Sequence, residues 1–193
     1  MKKINIGYAF CGSFCTIKKS LEALKNLAET EVNIIPIMSE IVYSSDTRFI
    51  KAEDLRNQVE QICNNKIIHN IVEAEPIGPK NLLDLIVVSP CTGNTAAKIA
   101  LGITDTPVTM AVKATMRNNN PVVLGIATND ALGASYKNIG ILQNTKNIFF
   151  VPYRQDDPFG KNNSLVCDFD KLTKTVDFAL KNKQLQPVVI ENK

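Results

Sequence analysis

An α/β fold, an open parallel β-sheet with helices on both faces, is what this chain predicts, and three observations predict it. Short apolar runs rich in β-branched residues alternate along the chain with stretches of helical periodicity. Most of these runs close on Gly, Ser, Thr or Asn. The run Leu85-Ile86-Val87-Val88 is apolar at every position, as a strand buried on both faces must be. In such a sheet ligands bind beyond the carboxyl ends of the strands, where the strand order reverses.

The elements follow in order. Lys3 to Phe10 predicts the first strand, closing at Cys11-Gly12-Ser13. Ser13 or Thr16 is placed to cap a helix whose apolar residues Ile17, Leu21, Leu24, Leu27 and Ala28 fall at helical spacing. Val32 to Met38 predicts a second strand, and Pro36 puts it at an edge or a bulge because proline cannot donate to the ladder. Ala52 to Ile62 reads as a helix, Lys66 to Val72 as a short apolar piece, and Glu75 to Lys80 as turns. After the run at 85–88 comes a polar turn, Pro90 to Thr95, then a helix from Ala96 stopped by Gly102, then a second helix near Pro107. Pro121 to Ala127 and Asn147 to Pro152 predict two further strands, with a weak helix over Ala131 to Leu142 between them. Tyr153 to Ser164 reads as a loop long enough to be functional. Asp168 to Leu180 closes the fold as an amphipathic helix, and the tail over 182–193 runs across the surface. All 193 residues are expected to form one domain, a length that removes roughly 70% of the unfolded surface.

Composition excludes several classes. The net charge of +3 is small and dispersed, so nothing points to nucleic acid. No apolar run is long enough to span a membrane. Met1-Lys2-Lys3 resembles the charged start of a signal peptide, but Asn5, Gly7 and Cys11-Gly12-Ser13 interrupt the apolar stretch that must follow. The five cysteines form no regular framework; free, mostly buried thiols in a reducing cytosol are expected, with no metal site.

Four loops share the predicted ligand rim: 11–16, 39–48, 89–95 and 128–133. The first is no dinucleotide fingerprint, since it lacks the third glycine and no acidic residue closes the second strand. Hydroxyls, amides and helix N-termini suit a single phosphate on a polyol, hence a mononucleotide. Catalytic side chains are scarce. His69 is the only histidine, and a lone histidine is more often structural. Cys91 stands beside a helix N-terminus, where a thiol can be activated, but no base lies near it in sequence. Lys113, Arg117 and Arg154 are candidate cations for phosphate or a substrate carboxylate, with solvated surface charge as the equal alternative for the first two.

Ser89-Pro90-Cys91-Thr92-Gly93-Asn94-Thr95, with Ala97-Lys98-Ile99-Ala100 and Gly102-Ile103-Thr104-Asp105, resembles the signature of the flavin-mononucleotide-binding cysteine decarboxylase and flavin prenyltransferase superfamily. Gly12, Ser13 and the helix carrying Lys18 match as well. Val72 to Lys80, Pro121 to Gly133, Thr145 to Pro152 with Gln155-Asp156, and Gln186 to Val189 are similar to a branch whose members are the B-type component of a two-component synthase. The resemblance covers nearly the whole chain. It implies a three-layer Rossmann-like sheet, a homo-oligomer, and an A-type partner resembling a nicotinamide-dependent dehydrogenase, with NAD(P) on that partner. The implied reaction oxidises a dihydro precursor to pyridine-2,6-dicarboxylate in the cytoplasm of the mother cell of a spore former. By the same resemblance FMN meets Gly12, Ser13, Phe14, Ser39, Ser89, Pro90, Thr92, Gly93, Asn94 and Thr95. Lys113, Thr128, Asn129 and Asp130 are the implied substrate contacts, and the catalytic residues stay unassigned. Two departures weigh against cysteine decarboxylation. Thr128-Asn129-Asp130 is neither the Pro-x-Met-Asn of the decarboxylases nor the Pro-Arg-Glu of the prenyltransferases, and Glu75 to Lys80 alters the spacing of His69 to Pro90. A stand-alone FMN enzyme of this fold and a non-catalytic stabilising component are the alternatives.

Overall fold

A computed structural model describes residues 3–191; Met1 and Lys2 of the charged start and Asn192 and Lys193 of the tail lie outside the described residues. The parallel body of the sheet consists of β1 (Ile4–Phe10), β2 (Val32–Met38), β3 (Leu85–Cys91), β4 (Val122–Thr128) and β5 (Ile148–Phe150). They lie side by side as β2-β1-β3-β4-β5. The chain moves from β1 outward to β2, then returns across β1 to β3. The loops leaving β1 and β3 therefore diverge to opposite faces and open a crevice between them.

The helices are α1 (Ile17–Ala28), α2 (Glu40–Ser44), α3 (Ala52–Cys63), α4 (Ile71–Ala74), α5 (Gly93–Ala100), α6 (Pro107–Arg117), α7 (Tyr136–Gln143) and α8 (Leu172–Ala179). α1 packs with α3 and α8 on one face of the sheet, and α6 packs with α4 and α5 on the other. In α1 the periodic residues Ile17, Leu21, Leu24 and Leu27 are buried, as their spacing requires. Truncating one of them, such as Leu24, to alanine would cost about 2–5 kcal/mol. One continuous cluster of buried residues runs from Ile6 to Ala179.

Five features differ from the sequence expectation. Tyr153 to Ser164 is no loop: β6 (Tyr153–Asp157) and β7 (Lys161–Cys167) form an antiparallel hairpin. β7 pairs antiparallel with Ala127 and Thr128, so the carboxyl half of β4 exchanges β5 for β7 and the seven-stranded sheet is mixed. Its polarity hid it, because Arg154, Gln155, Asp156, Asn162 and Asn163 show no alternation between an apolar and a polar face. β3 runs three residues past Val88 to Cys91 through a cis Ser89–Pro90 bond, with a register shift between Val88 and Cys91. Neither Ser13 nor Thr16 caps α1 through its side chain; Thr16 Oγ1 donates instead to the Ser13 carbonyl at 2.9 Å. The stretch expected as a helix from Ala131 forms turns first, and α7 starts only at Tyr136. The tail does more than cross the surface. The side chain of Gln184 pairs with Phe150, and Val188 and Ile190 pair with Tyr153 through their backbones.

Other expectations hold. Pro36 sits in the edge strand β2, where its carbonyl accepts from Ile68 N and the Met38 amide donates to Ile68 O, each at 2.9 Å. Gly102 follows α5 at φ +69°, a left-handed conformation that ends the helix without a Cβ penalty. Thr106 caps α6 in a capping box with Thr109, and Pro107 occupies the first helical position. No helix among the described residues is long and apolar enough to cross a membrane.

Candidate functional site

The crevice between the β1 and β3 loops is a cleft with two compartments that share Gly12, Phe14, Thr92 and Asn94. The inner compartment, about 330 Å³, is lined by Ser39, Thr95, Thr106 and the acidic Glu40 together with those shared residues. Three helices begin on it: α2 after Ser39, α5 after Thr92 and α6 after Thr106. Amides in a first helical turn have no carbonyl partner within the helix, so their N–H groups and the helix dipoles favour a negative ligand. The Thr92 hydroxyl accepts from the Thr95 amide at 3.1 Å and fixes where α5 starts. This leaves Gly93 and Asn94 at its open end.

One atom is out of balance. The Ser39 hydroxyl is buried and has no hydrogen-bond partner, alone in this respect among the buried side chains of the described residues. An unsatisfied buried hydroxyl costs about 1–3 kcal/mol, and a ligand that bonds to it recovers that cost. Lys98 also lines this compartment, but its ammonium donates to both oxygens of Asp105 at 2.8 Å, so its charge is already paired.

The outer compartment, about 570 Å³, is more open and charged. Phe14 and Phe49 offer aromatic surface, Thr128, Asn129 and Ser164 offer polar groups, and Arg48, Lys161 and Asp156 carry the charge. The β6–β7 hairpin supplies Asp156, Lys161 and Ser164, residues whose place at the cleft follows from the antiparallel pairing onto β4. That pairing was the signal missing from the sequence.

Of the residues expected at the site, Gly12, Ser13, Phe14, Ser39, Thr92, Gly93, Asn94, Thr95, Thr128 and Asn129 come together in this cleft. Four do not. Ser89 is fully buried beneath it on the face covered by α1; the Ser20 hydroxyl donates to the Ser89 carbonyl at 2.7 Å, and Tyr8 donates to the Ser20 carbonyl at 2.9 Å. Pro90 is buried within β3. Asp130 turns back on its own loop, accepting from the Ala134 amide and the Ser135 hydroxyl at 3.3 Å each. Lys113 is exposed on α6, roughly two turns past the end that meets the cleft, about 10 Å along the axis. Arg117 and Arg154 do not line it either.

Cys91 and His69 also stand apart. Cys91 is buried, and burial pushes its thiol well above the ordinary value, the opposite of an activated nucleophile. His69 stacks on Tyr43 with ring centroids 3.9 Å apart and its Nδ1 lies 3.3 Å from Glu73. The Arg56 guanidinium lies 4.8 Å from the centre of the Tyr43 ring and donates to the Tyr43 carbonyl. Neither cleft compartment contains a histidine.

The chain is 45% identical over 192 residues to the B-type component of dipicolinate synthase from Bacillus subtilis (strain 168), covering 100% of this chain and 96% of that protein. The crystal structure of the corresponding dipicolinate synthase component from Bacillus halodurans C matches with a TM-score of 0.90 and 42% identity, each chain covered in full. The FMN-dependent cysteine decarboxylase SpaF matches with a TM-score of 0.67 at 18% identity over 91% of this chain and 97% of that one, a likeness of fold. Residues 1–179 match the Flavoprotein family, and the chain belongs to that family.

Proposed function

We propose that this chain is the B-type component of a dipicolinate synthase, holding FMN and acting with the A-type component of the same synthase. The A-type partner carries NAD(P), and together they oxidise a dihydrodipicolinate-type precursor to dipicolinate during sporulation. The observation that carries the flavin reading is the buried Ser39 hydroxyl without a partner, set among the N-termini of α2, α5 and α6. That donor set fits a phosphate monoester, which brings acceptor oxygens to amides and hydroxyls. The two-component reading rests on the full-length likeness to the Bacillus proteins.

Aromatising the dihydro ring removes two electrons and two protons. A bound flavin would supply a two-electron acceptor, the electron pair ending on the NAD(P)+ of the A-type partner; the chain supplies position and shape. Ser39, Thr92 and Thr95 line the phosphate end of the cleft, and the Thr92–Thr95 hydrogen bond holds the start of α5 in place. Gly93 keeps that start close to the loop after β4, because a Cβ there would lie 2.5 Å from the Ser135 hydroxyl. Thr128 and Asn129 line the outer compartment, which also presents Phe14 and Phe49 and whose volume of about 570 Å³ admits a substrate ring. Decarboxylation by this chain is disfavoured, since His69 is stacked on Tyr43 outside the cleft. The chain is a homo-oligomer in this reading, in keeping with the family resemblance.

The test is an assay of the A-type partner, this chain, and the two together, with flavin content measured in each. Flavin absorbance in this chain and turnover only by the pair are expected. A colourless chain that takes up no added FMN would overturn the flavin reading. Full turnover by the A-type partner on its own would overturn the two-component reading.

A further inference from the structure

The basic residues first considered for the substrate, Lys113, Arg117 and Arg154, lie off the cleft, and two others take their place on its outer compartment. Arg48, between α2 and α3, stacks its guanidinium 4.8 Å above the Phe49 ring and forms no ion pair among the described residues. Stacking orients a planar guanidinium and leaves its fork of donors available for a carboxylate. Lys161, on β7, donates to Asp156 at 2.9 Å, which engages one of its three N–H groups. The two cations come from different elements, and Asp156 is the one carboxylate facing the same space. The Phe14 and Phe49 rings and the polar groups of Asn129 and Ser164 line the same compartment. A volume of about 570 Å³ accommodates a flat six-membered ring with two substituents.

We propose that Arg48 and Lys161 recognise the two carboxylates of an aromatic dicarboxylate, Arg48 through its guanidinium fork and Lys161 through the N–H groups that Asp156 leaves unused. Asp156 opposes the incoming charge and sets how tightly the compartment holds it. This assignment rests on the dipicolinate reading for the identity of the anion and is independent of the flavin reading.

The test is isothermal titration of the chain, with and without added FMN, with pyridine-2,6-dicarboxylate and with pyridine-2-carboxylate. The dicarboxylate is expected to bind more tightly than the monocarboxylate. Arg48→Gln and Lys161→Gln are each expected to weaken it about fivefold to tenfold, the range for charged hydrogen bonds at an open site. The double variant loses the preference for two carboxylates over one. Asp156→Asn moves the other way and tightens binding, a gain that a merely structural role would not produce. All three residues are exposed, so thermal unfolding of these variants stays at the wild-type level. Absence of dicarboxylate binding by the wild-type chain, or affinities unchanged in both glutamine variants, overturns the proposal. If the two components together turn over precursor while this chain binds no dicarboxylate, the assignment of Arg48 and Lys161 falls and the synthase reading stands. Charge-dependent binding by this chain without turnover by the pair sinks the synthase reading and upholds the dicarboxylate site.

Discussion

The two ends of the parallel sheet each carry a cavity, and the larger is at the wrong end. At the amino-terminal end about 900 Å³ is lined by Asn119, Asn147, Asn182, Gln143, Gln184 and Gln186 among others. At the carboxyl end the compartments are about 570 and 330 Å³. The larger space is rich in amides, but several of them already have work within the fold. Gln184 accepts from the Phe150 amide at 2.8 Å and donates to the Phe150 carbonyl at 2.7 Å, so one side chain closes the outer edge of β5. Asn147 donates to Asn119 O at 3.1 Å, and Gln143 to the Tyr153 hydroxyl at 2.8 Å. Asn119, Asn147 and Asn182 adopt positive φ of 59°, 67° and 54°, turn positions where asparagine is tolerated. The carboxyl end instead keeps Ser39 unsatisfied on a compartment where three helices begin. Unmet hydrogen-bonding capacity, not volume, separates a ligand site from a packing fault.

The most damaging change to that contrast is Gly93→Val. A Cβ at Gly93 meets Ser135 Oγ at 2.5 Å and Thr128 Oγ1 at 3.1 Å, so α5 must shift. Overpacking of this kind costs about 1–3 kcal/mol, and FMN uptake should disappear along with a fall in the unfolding midpoint. Uptake at wild-type level would show that α5 does not shape the flavin end. Asn94→Asp isolates charge from packing. An acidic residue in the first turn of α5 favours the helix by about 0.3–1 kcal/mol but repels a phosphate. Unfolding should hold steady or rise while FMN uptake, followed by flavin fluorescence, weakens at least about tenfold.

A smaller pair of changes tests the two ends directly. Gln184→Ala strips the Phe150 amide and carbonyl of their partner and should lower stability by about 1–2 kcal/mol, leaving FMN uptake alone. Ser39→Ala removes an unsatisfied hydroxyl, so the free chain should unfold no more easily, yet FMN binding should weaken. Denaturant unfolding with and without FMN measures both. If Ser39→Ala destabilises the free chain and Gln184→Ala does not, the contrast between the ends is wrong.

Why some of this was legible in the sequence, and some not, follows from where each residue gets its structure. β1 to β5 are buried runs bounded by turn residues, and their pattern is local, so their places were readable. Ser39, Thr92 and Asn94, implied by the family resemblance, each follow a strand and line the cleft. Ser89 misled for the opposite reason: one residue of strand alternation points its side chain under the cleft toward Ser20. Arg48 and Lys161 had no local signal, since the first sits in a polar segment and the second in a hairpin polar on both faces. Only the pairing of β7 with β4 brings Lys161 to the cleft. α2 escaped notice because five residues are too short to show a helical period.

The least disruptive measurement uses the thiols, which sample the two environments without mutation. Cys15 is exposed and lines the outer compartment, whereas Cys11, Cys63, Cys91 and Cys167 are buried. Burial disfavours the thiolate, pushing Cys11 up to about 11 and Cys63 up to about 12, with Cys91 and Cys167 also raised. A disulfide reagent at mildly alkaline pH should therefore titrate one thiol in the native chain and all five after denaturation. The sign for stability follows from the same shifts. The folded state holds these protons more tightly than the unfolded chain does. Their contribution is thus complete below the ordinary thiol value of 9.0 and is lost as pH rises through the folded values, at about 1 kcal/mol per thiol per pH unit. A dicarboxylate held by Arg48 and Lys161 should slow the reaction of Cys15, because all three line one compartment. FMN, with its phosphate at the inner compartment, should slow it less. Equal protection by both ligands would mean that the two compartments work as one, and the division of the cleft would have to be abandoned.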